Sequence, residues 1–208
     1  VESGAVLGDC IRSLPANTVE LLQTFRFDEN IKHLAQCINM ADGEGTWDIL
    51  INQKASNVAI LARDNIGYIC DKYAAFMEKV YLEKTDVRAI FKALNQFQVL
   101  CGSHYGDFGV EGINRRVELS LARRGFECRQ GTWYPGRPIL ITRNDYGLDL
   151  YNGDVGVCLP DPRSKALKVW VECSDGRLKN YPTYRLPSCQ TVFAMTIHKS
   201  QGSEFDEV

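Results

Sequence analysis

The residues with the clearest capacity for chemistry lie in the stretch Phe193-Ala-Met-Thr-Ile-His-Lys-Ser-Gln-Gly-Ser-Glu-Phe-Asp206. An apolar run passes there directly into a cluster of hydrogen-bonding side chains, Thr196, His198, Lys199, Ser200, Gln201 and Glu204, grouped around Gly202. A buried strand ending in such a loop is how α/β proteins present ligand-binding groups. A hydroxyl, an imidazole and an ammonium side by side (Thr196, His198, Lys199) suit contacts to the phosphates and sugars of a nucleic-acid strand without reading its bases. The competing reading is a polar strand-to-helix turn with a structural histidine. Gln201 and Gly202 shape the turn, and the glycine permits close approach of backbone to a ligand. Glu204 falls at the expected start of a helix, where a carboxylate offsets the positive end of the helix dipole.

Two further places invite a phosphate. Arg26 closes the extended, mostly apolar segment Val19 to Phe27 and is flanked by Phe25 and Phe27. A guanidinium fork held in that way can meet phosphate oxygens, or it can pair with Asp28 or Glu29. Gly106 to Gly109 precedes a helix whose first amides could hold one phosphate, with Ser103, His104 or Asn114 alongside. That segment also reads as an ordinary strand-to-helix turn.

The elements that must position these residues follow from apolar spacing. Ile31, Leu34, Ala35 and Ile38 share a helical face; Ala41 to Gly45 reads as a turn; Trp47 to Leu50 and Val58 to Leu61 have strand-like character. Apolar residues from Ile66 to Val80 predict a helix over 65–82, and Thr85 with Asp86 cap a shorter one carrying Val87, Ile90, Phe91 and Leu94. Phe97 to Cys101 is a buried strand, then comes the glycine-rich turn, then an amphipathic helix on Val110, Ile113, Val117 and Leu121. Strand, glycine turn and helix form the repeating unit of an open parallel sheet. Beyond Gly131 the pattern changes to short strands and tight turns: Pro138 to Thr142, Val155 to Leu159, Leu167 to Cys173 and Leu178 to Tyr181, with Asn152-Gly153 and Asp175-Gly176 as turns. This predicts a small antiparallel barrel inserted into the first domain, because Thr191 to Ile197 returns to a buried-strand composition.

Composition narrows the classes. The chain has 208 residues and a formal net charge of −2, so no global polycation is available and any contact to nucleic acid must be local. One local excess exists, Arg115, Arg116, Arg123, Arg124, Arg129, Arg137 and Arg143 against Glu118 and Glu127. It reads equally as a solvated helix face or as a phosphate-facing surface. The eight cysteines show no C-x-x-C spacing and do not cluster with the three histidines, which argues against a metal site. Cys37, Cys70, Cys101 and Cys158 read as small core residues in a reduced, cytoplasmic protein. No apolar run has the length of a membrane span, and no membrane partner is expected. Both ends look cut, so the chain is expected to be a piece of a larger protein.

The block from Phe193 to Asp206 resembles motif V of superfamily-one DNA helicases, in the form found in the RecD family, the alpha subunits of exonuclease V. Other segments carry the resemblance in order. Val1-Glu-Ser-Gly-Ala-Val-Leu-Gly-Asp9 is similar to the stretch after motif III, and Leu21-Leu-Gln-Thr-Phe-Arg-Phe27 to motif IV. Asn95 to Cys101 with Gly106 to Asn114 match the next strand and helix, and Gly136 to Asp145 with Tyr151 to Gly156 match the start of an inserted SH3-like barrel.

The resemblance implies an α/β fold: a RecA-like parallel-sheet second motor domain without its own P-loop, carrying the SH3-like barrel. It implies residues 1–17 as a remnant of the first motor domain, 18–133 plus 191–208 as the second, and 134–190 as the barrel. It implies that Arg26 faces the γ-phosphate of ATP as a catalytic residue, and that Gln201, Gly202 and Glu204 line the nucleotide, Glu204 at the ribose. Thr196, His198, Lys199, His104, Asn114 and Asn144 fall to single-stranded DNA. The implied protein is a 5′-to-3′ helicase using ATP with Mg2+, working with the other two exonuclease V subunits on DNA ends in double-strand break repair and recombination. These residues contain no G-x-x-x-x-G-K-[ST], hence no lysine for the β/γ-phosphates and no hydroxyl for magnesium, and the piece alone is expected to be inactive. Alternatives are a stand-alone RecD-like or relaxase-linked helicase, or a non-catalytic DNA-binding or assembly module.

Overall fold

The computed structural model describes residues 5–19, 29–52, 57–61, 65–82, 86–173 and 176–208, and the chain divides into two compact units, Val1–Arg63 and Asp64–Val208. Among its described residues the first unit carries the α-helices α1 (Ala5–Ser13), α2 (Glu29–Asn39) and α3 (Gly43–Asn52). The expected helix on Ile31 to Ile38 is α2. The strand-like segment Trp47 to Leu50 is instead the body of α3, because the expected turn is itself the helix start: Asp42 Oδ1 accepts from Gly45 N at 2.9 Å. Val58 to Leu61 forms no strand. Arg26 lies outside the described residues.

The second unit holds the helical pattern read from sequence. Helix α4 (Ile66–Leu82) buries Tyr73, Phe76, Met77 and Val80. Helix α5 (Val87–Leu94) is capped by the Asp86 carboxylate, which accepts from Ala89 N at 3.0 Å. Strand β1 (Val99–Cys101) leads through residues 102–109 into α6 (Val110–Arg123). Five short strands follow, β2 (Pro138–Ile141), β3 (Val155–Pro160), β4 (Leu167–Glu172), β5 (Leu178–Pro182) and β6 (Cys189–Thr191), and then β7 (Ala194–Thr196).

The stretch expected as one buried strand is divided between two sheets. Thr191 pairs with Ile139 in the antiparallel sheet, while Ala194 pairs with Val99 in a parallel pair, so the chain crosses over within Val192 and Phe193. The parallel β1–β7 pair brackets α6 and the antiparallel sheet in sequence.

The antiparallel strands have the order β5-β4-β3-β2-β6. Among the described residues no ladder joins β5 to β6, so the expected closed barrel is replaced by an open sheet. The reason lies in how its faces are covered. Val157, Leu159 and Trp170 pack into the core built by α4, α5 and α6, whereas their alternating neighbours Cys158, Val169 and Val171 join Ile139, Ile141, Leu150 and Tyr181 in a second cluster. Both faces are covered without closure, which removes the drive for a short strand set to curl on itself.

Cys37, Cys70, Cys101 and Cys158 are buried free thiols, and burial pushes the Cys158 thiol up to about 12, where it is an inert packing group. No helix among the described residues is long and apolar enough to cross a membrane.

Candidate nucleic-acid interface

Strands β1 and β7 run parallel with Cys101 opposite Thr196, so the loops that leave them emerge at one edge. In open α/β sheets the carboxyl ends of parallel strands are where ligands sit. Thr196 is half-buried at this edge, and His198, Lys199, Gln201 and Glu204 are exposed beyond it. The backbone between them is tied down locally. Residues Ile197–Ser200 form a 3-10 turn, Ser200 Oγ donates to Ile197 O at 2.8 Å, and Ser203 N donates to Ser200 O at 2.9 Å. Gly202 reverses the chain at φ +89°, a conformation costly for a residue with a Cβ.

Strand β7 is held from behind by buried polar side chains. Asn114 on α6 accepts from Ala194 N at 3.0 Å and donates to Ala194 O at 3.2 Å. Tyr73 and Gln98 both donate to Phe193 O, Gln98 at 3.1 Å. Burial raises the Tyr73 phenol far above its ordinary pKa, so it remains a donor. Asn114 therefore departs from its expected DNA contact: its amide is buried and engaged with β7, which makes it a positioning residue.

The β1–α6 loop departs as well. Val110 N and Glu111 N, two of the first-turn amides of α6, donate to Ser103 O and His104 O, both at 3.2 Å. The loop folds back over the helix start and takes up donors that a phosphate would need. Gly112 allows this approach, since a Cβ there would overlap the Gly106 carbonyl oxygen and meet Asp107 O at 2.7 Å. The fold-back leaves His104, Tyr105 and Phe108 exposed, with the Arg116 guanidinium 5.8 Å from the Phe108 ring centre.

A third loop joins this edge from the antiparallel sheet. Lys199 Nζ donates to Asn152 Oδ1 at 2.6 Å, Asn152 N donates to Asn144 Oδ1 at 2.7 Å, and Asn144 Nδ2 donates to the Tyr146 hydroxyl at 3.3 Å. Lys199 and Asn144, 55 positions apart in sequence (199 − 144), are thus brought into one hydrogen-bond chain. The loop is ordered by its own polar groups. Asp145 pairs with Leu150 in an antiparallel bridge, and Asp154 Oδ2 accepts from Tyr151 N at 2.7 Å.

Two members of the arginine excess are engaged within the protein. Arg124 pairs with Asp71 at 2.5 Å, and Arg137 donates to Thr191 Oγ1 at 3.0 Å and to Thr132 O at 2.9 Å while lying over Trp133. Lys199 lies at the edge itself, and exposed Arg143 directly precedes Asn144 in the loop that joins it. Glu204 does not start a helix. Residues past Gly202 stay irregular because Asp206 N donates to Asn95 O at 3.2 Å and Glu207 O accepts from Gln98 N at 3.0 Å.

Comparison with known proteins bears on this edge. The chain is 35% identical over its whole length to the RecBCD enzyme subunit RecD of Mycolicibacterium smegmatis, and 40% identical over 56% of its length to that of Haemophilus influenzae. The chain is RecD-like. It spans 37% of the length of the RecD subunits of M. smegmatis and Mycobacterium tuberculosis. The RecD-like sequence is also 27% identical, over 53% of the chain, to the ATP-dependent RecD2 DNA helicase of Deinococcus radiodurans. No protein-family model matches it. The solved structure of unliganded Pif1 from Bacteroides sp. overlaps 54% of the RecD-like chain and 46% of its own at 19% identity and a TM-score of 0.29, too low for a shared fold to be read from it.

In this RecD-like chain, the sequence reading missed the aromatic residues of the edge. Tyr105 (76% exposed), Phe108 (58%), Tyr146 (78%) and Tyr151 (46%) all sit in turn-rich segments, Tyr105-Gly-Asp-Phe-Gly109, Asp145-Tyr-Gly147 and Tyr151-Asn-Gly153. An aromatic among turn residues belongs to no amphipathic stripe, and that was the available signal.

Proposed function

We propose that this chain forms part of a RecD-type subunit of a RecBCD-like complex, an ATP-dependent DNA helicase that moves along single-stranded DNA in the repair and recombination of DNA ends. In this reading 18–133 with 191–208 belong to the second, RecA-like motor domain, 134–190 are its insertion, and 1–17 belong to the first motor domain. The observation that supports it best is the convergence of Thr196, His198 and Lys199 with Asn144 at the carboxyl edge of the β1–β7 pair. Thr196, His198 and Lys199 contact the strand's phosphates and sugars, His104 approaches from the neighbouring loop, and Asn144 marks where the insertion meets the strand.

The nucleotide reading draws on fewer groups. Gln201 and Glu204 are exposed beside Gly202, where a Cβ would meet nothing within 4 Å. An open turn with a carboxylate and an amide fits the ribose edge of a nucleotide: Glu204 can accept from a ribose hydroxyl, and Gln201 can hold the turn or the base edge. Arg26 is the residue assigned to the γ-phosphate, where ATP with Mg2+ would supply the phosphoryl chemistry. The phosphate-cradling loop and the magnesium ligands are assigned to the other motor domain, so the present residues orient a nucleotide and do not hydrolyse it.

The test is salt-dependent binding of a fluorescent single-stranded oligonucleotide. Lys199→Ala is expected to weaken binding and to reduce the slope of log K against log salt by about 0.7, one phosphate contact on a single strand. An unchanged affinity and slope overturns the assignment. Turnover of ATP by the 208 residues alone overturns the division of the nucleotide site.

A further inference from the structure

The Lys199–Asn152–Asn144 hydrogen-bond chain ends at an exposed aromatic pair that the proposed strand contacts do not use. Tyr146 and Tyr151 lie with ring centres 6.2 Å apart at 70°. They are 78% and 46% exposed, although large aromatic rings contribute most to stability when buried. Their polar ends are engaged within the loop: the Tyr146 hydroxyl accepts from Asn144 Nδ2 at 3.3 Å, and the Tyr151 hydroxyl donates to Asp149 Oδ1 at 2.9 Å. What each ring still offers to a ligand is its π face.

The loop beneath them is held on several sides. Asp145 Oδ1 accepts from Leu148 N at 3.1 Å, Tyr181 donates to Leu148 O at 2.8 Å, and Lys179 pairs with Asp149. Rings fixed in this way lose little conformational freedom when something stacks on them. The same loop carries Asp145, Asp149 and Asp154 against Arg143, with Asp149 paired to Lys179, so its excess charge is negative and disfavours a phosphate backbone. Cationic Lys199 stands at the other end of the chain of hydrogen bonds. A strand whose phosphates lie against Lys199 therefore turns its bases, not its backbone, toward the tyrosines.

We propose that Tyr146 and Tyr151 form a stacking platform for unpaired nucleobases, placed by the inserted sheet beside the strand contacts of the motor edge. The proposal rests on the nucleic-acid reading of Lys199 and adds to it a base-contacting surface that no basic residue provides. Stacking on an aromatic face is sequence-tolerant, so the platform holds any unpaired base. A protein surface is the other class of occupant for exposed tyrosines. Continuity with Lys199 and Asn144 favours the bases.

The experiment measures binding of the full chain to a fluorescent oligo-dT of about 16 nucleotides, the upper end of common single-strand site sizes, and to an abasic strand of the same length. Tyr146→Ala and Tyr151→Ala are each expected to weaken oligo-dT binding by roughly 5- to 100-fold, with the salt slope unchanged. On the abasic strand the same variants are expected to bind like the parent, and Tyr146→Phe is expected to retain affinity on oligo-dT. Alanine variants that bind oligo-dT like the parent overturn the platform. So does an equal loss on the abasic strand, or a loss confined to binding of a partner subunit. If Lys199→Ala weakens binding and the tyrosine variants do not, the platform alone fails. If neither does, the underlying nucleic-acid reading fails with it.

Discussion

Among the polar bridges between the antiparallel sheet and the α/β layer, two differ chiefly in access to water. The buried one is centred on Glu118 of α6, which accepts from the Tyr134 hydroxyl at 2.6 Å and from Thr191 Oγ1 at 3.3 Å. Tyr134 lies where the chain enters the insertion and Thr191 where it leaves, so one carboxylate fixes both crossings. The exposed bridge is Lys199–Asn152–Asn144–Tyr146. Burial, aided by the charge of Glu118, holds the Tyr134 phenol far above its ordinary pKa, and the neighbouring Cys128 thiol is pushed up to about 12 by the same two causes. In the first bridge the Tyr134 phenol stays a donor, and both it and Glu118 are buried from solvent. In the second, water or a nucleic-acid strand can replace any partner. Similar hydrogen bonds are therefore closed to water in one place and, under the proposed reading, open to exchange with a ligand in the other.

The largest effect expected from breaking this contrast is at the buried bridge. Glu118→Ala leaves a void and an unpaired buried phenol and is expected to cost about 2–4 kcal/mol in urea unfolding, with Glu118→Gln recovering much of the loss. Equal stability of Glu118→Ala and the parent sinks the comparison. Asn114→Ala removes both bonds to Ala194 and leaves its buried amide without that acceptor, for about 2–3 kcal/mol by the same measurement. Lys199→Ala, at the exposed bridge, is expected to shift stability by no more than about 0.5 kcal/mol while weakening strand binding. A stability loss there as large as at Glu118 removes the distinction between the bridges.

The smallest effect sharpens the contrast through pH. Burial raises the Glu207 carboxyl, but hydrogen bonds from Lys72, at 2.5 Å, and Tyr68 outweigh it and hold the group below its ordinary pKa. A carboxylate lowered in the folded state stabilises above its unfolded pKa and loses that contribution as pH falls through the lowered folded value. Glu207→Gln is expected to remove a small part of the acid dependence of stability, small because Lys72 and Glu207 are each 37% exposed. Parallel pH–stability curves for variant and parent would show that this pair contributes nothing.

What was legible in the sequence follows a physical pattern. Helices α4, α5 and α6 were readable because each carries an apolar stripe at helical spacing, with Asp86 as an explicit start signal. The strands β2 to β4 were readable from short apolar and β-branched runs between turn residues, and β5 from the Asp175-Gly176 turn before it. Trp47 to Leu50 was misread because four residues, three apolar and Asp48, are too short a run to show a period of their own. Asn114 was assigned to a ligand from its place near the turn, although it lies four residues from Val110 and four from Glu118 on the buried face of α6. Polar residues on an apolar stripe were the clue to both.

The sequence by itself determined helices α4, α5 and α6, the strands from β2 to β5 and the polar cluster around Gly202. Those are local matters, set by side-chain period, turn chemistry and the order of segments along the chain. Only the tertiary structure decided that the inserted strands stay open, that Asn114 and Glu118 face inward, and that Lys199 meets Asn152 and Asn144. Each of these depends on which surface covers which, and burial by a distant segment leaves no mark on the local spacing of residues.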